Sequence, residues 1–351
     1  MGTTVIRWLA GSHPGKPAGM DVRVESFAWA SQLSPTDLAA VTRIFNGVWD
    51  EWIPGERPLS GAAYVDFDRF SAPPERVERR LLRDADGAVI GLGQVHWREE
   101  PGACVVRAMI DPTSRGRGLG RVLVGDLVMA ARSAGRTGCT FETPVGGWAD
   151  ETCRSAGLRP DMVVEQNRTC TADIDAAILE RWRAAGESQP DYSLVAYDAP
   201  CPREVLAADF IRARQVMNDA PRWEGEPESE YSVSELRAVE AAGTAAHQAW
   251  WNVGVRHDPS GGLVGLSDLY LPDARPWIVF QGDTGVAPDH RGHGLGAWMK
   301  AVNHLRLRDE RPEVETVQTW NAAANEPMLR INRALGFAPA QTYRGWYLPL
   351  D

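Results

Sequence analysis

The sequence predicts a mixed α+β protein built as two similar halves in tandem. Three observations predict this. The 351 residues suit two domains of ordinary size. The run Arg115-Gly116-Arg117-Gly118-Leu119-Gly120 returns as Arg291-Gly292-His293-Gly294-Leu295-Gly296. Apolar runs of strand type alternate with helical-period segments in the same order in both halves.

Two further pairs support a duplication. "GAVIGLGQVHW" (87–97) matches "GGLVGLSDLYL" (261–271), and "RSAGL" (154–158) matches "NRALGF" (332–337). The spacing between partners drifts by only a few residues, which small insertions explain. The boundary falls in the polar, Gly- and Pro-containing stretch 181–193. The expected division is a disordered leader at 1–20, a first domain at 21–185 and a second at 190–351.

Each half opens on a strand, 21–30 or 192–200. A helix follows. In 34–49 it starts on a Ser cap with apolar residues at helical spacing, and in 202–217 it starts on Pro. Strands are expected at 88–97 and 262–271, then at 104–110 and 277–286. The glycine stretch comes next and leads into a helix, 120–135 or 296–310. A further strand, 138–145 or 314–320, precedes a last helix and strand. The charged segment 73–87 has a helical pattern and reads as a solvated face. Trp49, Trp52, Trp250 and Trp251 follow the helical openings, with core packing the simpler reading and substrate stacking the alternative.

The composition excludes several classes. A net charge of −10 argues against a nucleic-acid partner, because neutralising phosphates needs a basic face. An acidic surface tolerates or mildly attracts a cationic substrate, though plain solubility accounts for it as well. Cys104, Cys139, Cys153, Cys170 and Cys201 are odd in number and lack any paired spacing, as expected of thiols in a reducing compartment. No apolar run reaches the roughly 20 residues of a membrane span, so a cytoplasmic protein is expected. No metal site is expected: His290 and His293 have no third ligand in view.

The glycine stretch carries the chemistry. A helix N-terminus leaves N–H groups unpaired and partly positive, so anions bind there. Glycines let a phosphate approach the backbone and permit tight turns. A strand, Arg-Gly-x-Gly-x-Gly and a helix therefore form a pyrophosphate cradle, to which the Arg can add charge-assisted bonds. The alternative is a plain glycine turn before a helix, which the recurrence in both halves disfavours. The pattern is not the dinucleotide fingerprint, and no Gly-Lys-Ser/Thr is present.

At these residues the chain resembles the GNAT superfamily of N-acetyltransferases. Arg115, Gly118 and Gly120, and again Arg291, Gly294 and Gly296, match its Arg/Gln-x-x-Gly-x-Gly/Ala signature after a strand. "NEPMLRINRALGF" (325–337) is similar to the family's later signature at Asn325, Ile331, Gly336 and Phe337, with Met328 at the Ala position. Over 21–351 the chain resembles tandem GNAT proteins, mycothiol synthase-like ones among them. The resemblance implies two tandem GNAT-like domains, each a mostly antiparallel sheet flanked by helices. It implies acetyl-CoA as co-substrate and transfer to the primary amine of a small molecule: a sugar amine, an amino-acid derivative or an antibiotic. Acetylation of a cysteinyl glycoside amine and a non-catalytic acyl-CoA-binding protein are the alternatives. Oligomeric state is not readable.

Two departures from the family pattern stand out. Asn332 occupies the place of the Tyr that protonates the leaving thiolate, and an amide is a poor acid. The first half has a shortened last helix at 146–158, Cys153 at that place, and no counterpart of Asn325. The second half is therefore expected to carry the chemistry. There the resemblance places Val286, Arg291, Gly292, His293, Gly294, Leu295 and Gly296 around the diphosphate, and Asn321 and Asn325 beside the pantetheine arm. In the first half the phosphate loop comprises Ile110, Arg115, Gly116, Gly118 and Gly120. Asp283, flanked by Gly282 and Gly285, is the leading base or ammonium-binding candidate, a turn position being the alternative. Thr319 and Asn321 alternate onto one face of their strand, with Trp320 on the other. Asn325 also suits a helix cap, and Asn332 is the second catalytic candidate, placed to point at the thiol, with an exposed polar position as the alternative. Glu142 is the analogous carboxylate of the first half.

Overall fold

The computed structural model describes residues 21–70 and 76–350, so the expected leader at 1–20 lies outside the described residues. In chain order its strands are β1 (Arg23–Phe27), β2 (Arg76–Arg83), β3 (Val89–Trp97), β4 (Ala103–Ile110), β5 (Gly138–Pro144), β6 (Arg159–Cys170), β7 (Tyr192–Asp198), β8 (Gln248–His257), β9 (Gly262–Pro272), β10 (Ile278–Val286), β11 (Thr316–Ala322) and β12 (Ala338–Pro349). Its α-helices are α1 (Pro35–Trp52), α2 (Gly61–Phe70), α3 (Leu119–Ser133), α4 (Trp148–Ser155), α5 (Ala176–Glu187), α6 (Glu204–Arg214), α7 (Val233–Ala245), α8 (Leu295–Glu310) and α9 (Glu326–Ala334).

Two compact units result. Unit 1 runs through Val164 and adds Arg222–Pro227 and Gln341–Asp351; unit 2 comprises Glu165–Pro221 and Glu228–Ala340. This partition departs from two successive halves. The C-terminal strand β12 lies antiparallel to β5, with Tyr343 opposite Pro144 and Pro349 opposite Gly138, and so completes the sheet of unit 1. Residues 165–170 of β6 border β11 in unit 2. Repeats in a sequence show which elements recur, not which edge a terminal strand chooses.

Unit 1 has the strand order β1-β2-β3-β4-β5-β12, and unit 2 the order β6-β11-β10-β9-β8-β7. Pairing is antiparallel through β1–β4 and through β7–β10, and parallel at β4–β5 and at β10–β11. Both units are therefore the mixed α+β architecture expected, a mostly antiparallel sheet flanked by helices.

Local chemistry explains most elements. α1 starts where Ser34 Oγ accepts the Asp37 N–H at 3.1 Å, with Pro35 at the first helical position. Its apolar stripe, Val41, Ile44, Phe45 and Val48, is buried. α7 starts on a reciprocal capping box between Ser232 and Glu235. In unit 1, Leu123 and Leu127 of α3 pack on the sheet with Leu82, Val95 and Trp346. Trp346 of β12 is fully buried, and its Nε1 donates to Thr143 Oγ1 at 2.9 Å. In unit 2, α5 and α8 cover one sheet face with Leu179, Ala301 and Leu305, while α6 and α7 cover the other with Phe210 and Leu236. The four tryptophans singled out in the sequence behave mainly as core. Trp250 and Trp251 are buried in β8, and Trp49 stacks on Phe45 at 5.4 Å.

The segment read as a helical face is instead strand β2 from Arg76 onwards. Its arginines are paired across the fold: Arg79 with Asp68, Arg80 with Asp126 and Glu78, Arg83 with Glu25 and Asp37. Partners distant in sequence turned a charge-rich run into a half-buried strand.

Candidate active site

In each unit the parallel pair parts next to a glycine loop. β10 pairs with β11 only over Ile278–Phe280 and Thr316–Gln318. β4 pairs with β5 only over Ala103–Val105 and Gly138–Thr140. Beyond those rungs the strands no longer share a ladder, which leaves a wedge between them. In unit 2 the register of β10 against β9 shifts between Gln281 and Thr284, so Gly282 and Asp283 form a bulge at the opening of the wedge. Thr319 Oγ1 donates across it to the Gln281 carbonyl at 3.0 Å.

Each strand then runs through a 3-10 turn, Pro112–Ser114 or Pro288–His290, into its loop. Gly116 and Gly118 have φ of 79° and 78°, and Gly292 and Gly294 have 86° and 73°. These are left-handed conformations that side chains resist. Gly118 and Gly294 are the N-caps of α3 and α8, where no side chain intervenes between the leading N–H groups and an incoming anion. A Cβ on Gly116, Gly292 or Gly294 would meet no atom within 4 Å, so the loops present open backbone. Leu119 and Leu295, the first helical residues, are buried and anchor the helices, and a Cβ on Gly296 would lie 3.6 Å from Ile331 Cδ1.

The loop arginines behave alike. Arg115 Nε donates to the Ile110 carbonyl at 3.2 Å, and Arg291 Nε to the Val286 carbonyl at 2.9 Å. Each ties its loop back to the end of its strand. The remaining nitrogens pair with Glu51 at 2.6 Å and with Asp219 at 2.6 Å. The Arg291–Asp219 pair is about half exposed and is the weak kind of ion pair that a phosphate can displace. Arg115 also lies over the exposed ring of Trp148, 4.8 Å from its centre.

Asp283 is not a free carboxylate. It pairs with Arg214 of α6, whose Nη2 also donates to Asp268 Oδ2 at 2.6 Å. Burial pushes Asp268 up to about 6, against the opposing pull of Arg214. Burial works against the Arg214 charge too, yet Asp283 and Asp268 hold the guanidinium firmly protonated. Sequence reasoning found Asp283 but missed its partners. Asp268 did leave a signal, a carboxylate inside an otherwise apolar strand; Arg214 left none.

Asn332 is buried rather than exposed, and its Nδ2 donates to Asn321 Oδ1 at 2.8 Å. Asn325 caps α9, accepting the Met328 N–H at 3.4 Å. His290 and His293 stand by Tyr192, with Tyr192 Oη 3.0 Å from His290 Nδ1 and the Tyr192 and His293 ring centres 5.6 Å apart. Among the described residues no group of three or more His, Cys, Asp or Glu is placed to hold a metal, and no helix is long and apolar enough to cross a membrane. In unit 1, Glu142 lies on β5 two residues past the last rung. Burial raises its carboxyl above the ordinary range, with Arg107 of β4 offsetting part of the rise. Helix α4 has 8 residues against 9 in α9, so the last helix of the first half is barely shortened.

A wedge between parallel strands beside an open glycine loop defines, in both units, the GNAT architecture. Residues 41–144 match the family model described as the acetyltransferase (GNAT) family. The chain thus has a tandem GNAT fold, and the family model matches within its first unit. It is similar over 94% of its length to a tandem GNAT protein from the clavulanic acid biosynthesis pathway, at 22% identity, with 98% of that chain covered and a TM-score of 0.75. A GCN5-related N-acetyltransferase from Sphaerobacter thermophilus gives 15% identity, 94% and 97% coverage, and a TM-score of 0.65. A GCN5-related glucosamine N-acetyltransferase region of a fungal multi-domain GH3 beta-N-acetylglucosaminidase gives 15% identity and a TM-score of 0.67, covering 96% of this chain and 39% of that one. At these identities the likeness is one of fold. No curated protein sequence matches.

Proposed function

We propose that the chain is an N-acetyltransferase that takes acetyl-CoA as co-substrate and acetylates the primary amine of a small molecule, with the chemistry in unit 2. The observation that carries this is the glycine loop of unit 2: two left-handed glycines, nothing within 4 Å of a Cβ on either, capping a helix beside parted strands. That cradle fits a diphosphate, and the wedge fits the arm that leads from it to a thioester.

An alkylamine is mostly ammonium at neutral pH, with a reference pKa of about 10.4. Asp283, partly exposed beside Arg214, draws the ammonium in. The amine nitrogen must shed a proton to water or to a carboxylate before it attacks. Its N–C bond to the acetyl carbon forms, the C–S bond breaks, and the departing thiolate takes up a proton. Backbone N–H groups of the bulged β10 would stabilise the intermediate oxyanion. Asn332, an amide held by Asn321, supplies no proton, so water is the acid.

One observation favours a second reading. Glu142, raised by burial and placed past the last rung of β5, has the character of a general base, and the family match falls on this half. Under that reading unit 1 performs the transfer. Release of free thiol from acetyl-CoA with an amine panel tests both. Loss of release in Arg291→Ala with Arg115→Ala active supports unit 2. Loss in Arg115→Ala and Glu142→Gln with Arg291→Ala active supports unit 1. Coenzyme A binding without thiol release from any amine leaves a binding protein.

A further inference from the structure

We infer that the amine taken by unit 2 is a monocation carried on a flat, apolar body, recognised by Trp320 and Phe280 beside the acidic group of Asp283 and Asp268. The inference rests on the transfer reading above and names its acceptor.

Among the described residues only four large apolar side chains are exposed, and Trp320 is the one in unit 2. It is 42% exposed, two residues beyond the last β10–β11 rung, where the wedge opens. Its ring stacks on Phe280, with centres 5.9 Å apart and planes 24° apart. Phe280 belongs to the last rung itself, opposite Gln318. An exposed indole stacked on a second ring is a platform that lacks a third layer.

This platform lies on the sheet face turned towards α6. Phe280 is paired with Tyr270 on β9, and Tyr270 stacks on Trp250 at 5.2 Å, beneath the Arg214 guanidinium. On that face the carboxylates of Asp268 and Asp283 share the Arg214 guanidinium, and the Arg275 guanidinium lies over Phe280, 4.9 Å from its ring centre. Gln318 alternates onto the same face. It is buried, and its Oε1 has no hydrogen-bond partner among the described residues. An ammonium supplies the N–H donor that Gln318 Oε1 lacks. Gly282 cannot be larger: its Cβ would lie 2.2 Å from Asp268 Oδ1, so the backbone is held close against the carboxylate.

A polyhydroxylated sugar amine suits the face poorly. Each hydroxyl buried there needs a partner, and the rings of Trp320 and Phe280 offer none. Unit 1 places Arg107 and Glu142 where unit 2 has its bulge and Trp320, so the two wedges select differently.

The test is thiol release by the full chain with 2-phenylethylamine, n-butylamine and glucosamine. The expected kcat/KM for 2-phenylethylamine exceeds both others by about tenfold or more. Trp320→Ala removes that advantage by raising KM for 2-phenylethylamine with kcat held and with n-butylamine little changed; Trp320→Phe keeps most of it. Glucosamine leading the panel, or Trp320→Ala lowering all three amines equally, overturns the inference. If no amine releases thiol, the transfer reading fails, and calorimetric titration of 2-phenylethylamine into the full chain decides the acceptor site separately. Binding that is lost in both Trp320→Ala and Asp283→Asn upholds it; absence of binding refutes it.

Discussion

Asn332 on α9 donates from Nδ2 to Oδ1 of Asn321 on β11 across 2.8 Å, and its own Oδ1 is buried without a partner among the described residues. The residue at the position where a tyrosine acid is expected is thus a brace between the last helix and the wedge. Asn332→Ala removes the donor that Asn321 uses and should cost about 1–3 kcal/mol of stability. The pH profile of kcat/KM should not move, because an amide has no proton to give near neutrality. A shifted basic limb in the variant would restore Asn332 as a participant in proton transfer.

Gly294 occupies a left-handed conformation with no neighbour to clash with a methyl group. Gly294→Ala should therefore lose only about 1–2 kcal/mol, from backbone strain. Coenzyme A affinity, measured by calorimetry, should fall by about tenfold or more, since the methyl stands where a phosphate must approach. Gly135 has φ of 69° and equally empty surroundings just past the C-terminal end of α3, the end opposite the loop. Gly135→Ala should show similar strain and unchanged affinity. Equal affinity in both variants would remove the loop from the binding site.

Lys300 of α8 is buried, and burial lowers its ammonium to about 7; burial, and secondarily Lys300, keep His304 down at about 3. Below pH 7 the folded and unfolded chains both carry the Lys300 proton, and the folded chain bears the full cost of the buried charge. Between 7 and the ordinary value of 10.5 the unfolded chain binds more protons, so stability from this group rises with pH. Lys300→Met should be more stable than the parent at pH 7, by about 2 kcal/mol or more. The difference should shrink steadily towards pH 10 in denaturant titrations. A difference independent of pH would mean that the amine is charged and well partnered throughout.

Arg79 and Asp68 form an ion pair, 2% and 1% exposed, in which Asp68 also accepts the Ala30 N–H at 2.9 Å. Asp68→Ala strands a buried guanidinium and should destabilise unit 1 by about 3–5 kcal/mol. Combining it with Arg79→Met should recover most of that loss. Urea denaturation of the single and double variants checks both statements.

Much of this fold was legible in the sequence because it rests on local chemistry. The Ser34 cap, the glycine loops and the paired strands 88–97 and 262–271 all fall where short-range rules put them. The site was legible where backbone conformation carries it, at Gly118 and Gly294. It was illegible where long-range pairing does. Arg214 sits in an ordinary helical run, and only the folded chain shows that it joins Asp268 to Asp283. Segment 73–87 misled for the same reason: its arginines look solvated until Asp68, Asp126 and Asp37 arrive from elsewhere. Asn332 was left between the thiol and the surface because nothing in its own helix reveals Asn321.

The placement of β12 beside β5 has a consequence for biosynthesis. Roughly two hundred residues separate the two strands, so translation at about 5–20 residues per second leaves the nascent first sheet without its sixth strand for about ten seconds or more. During that interval the outer edge of β5 is an unpaired template for any passing strand. The ribosome-bound intermediate, rather than the finished protein, is then the species most in need of a chaperone.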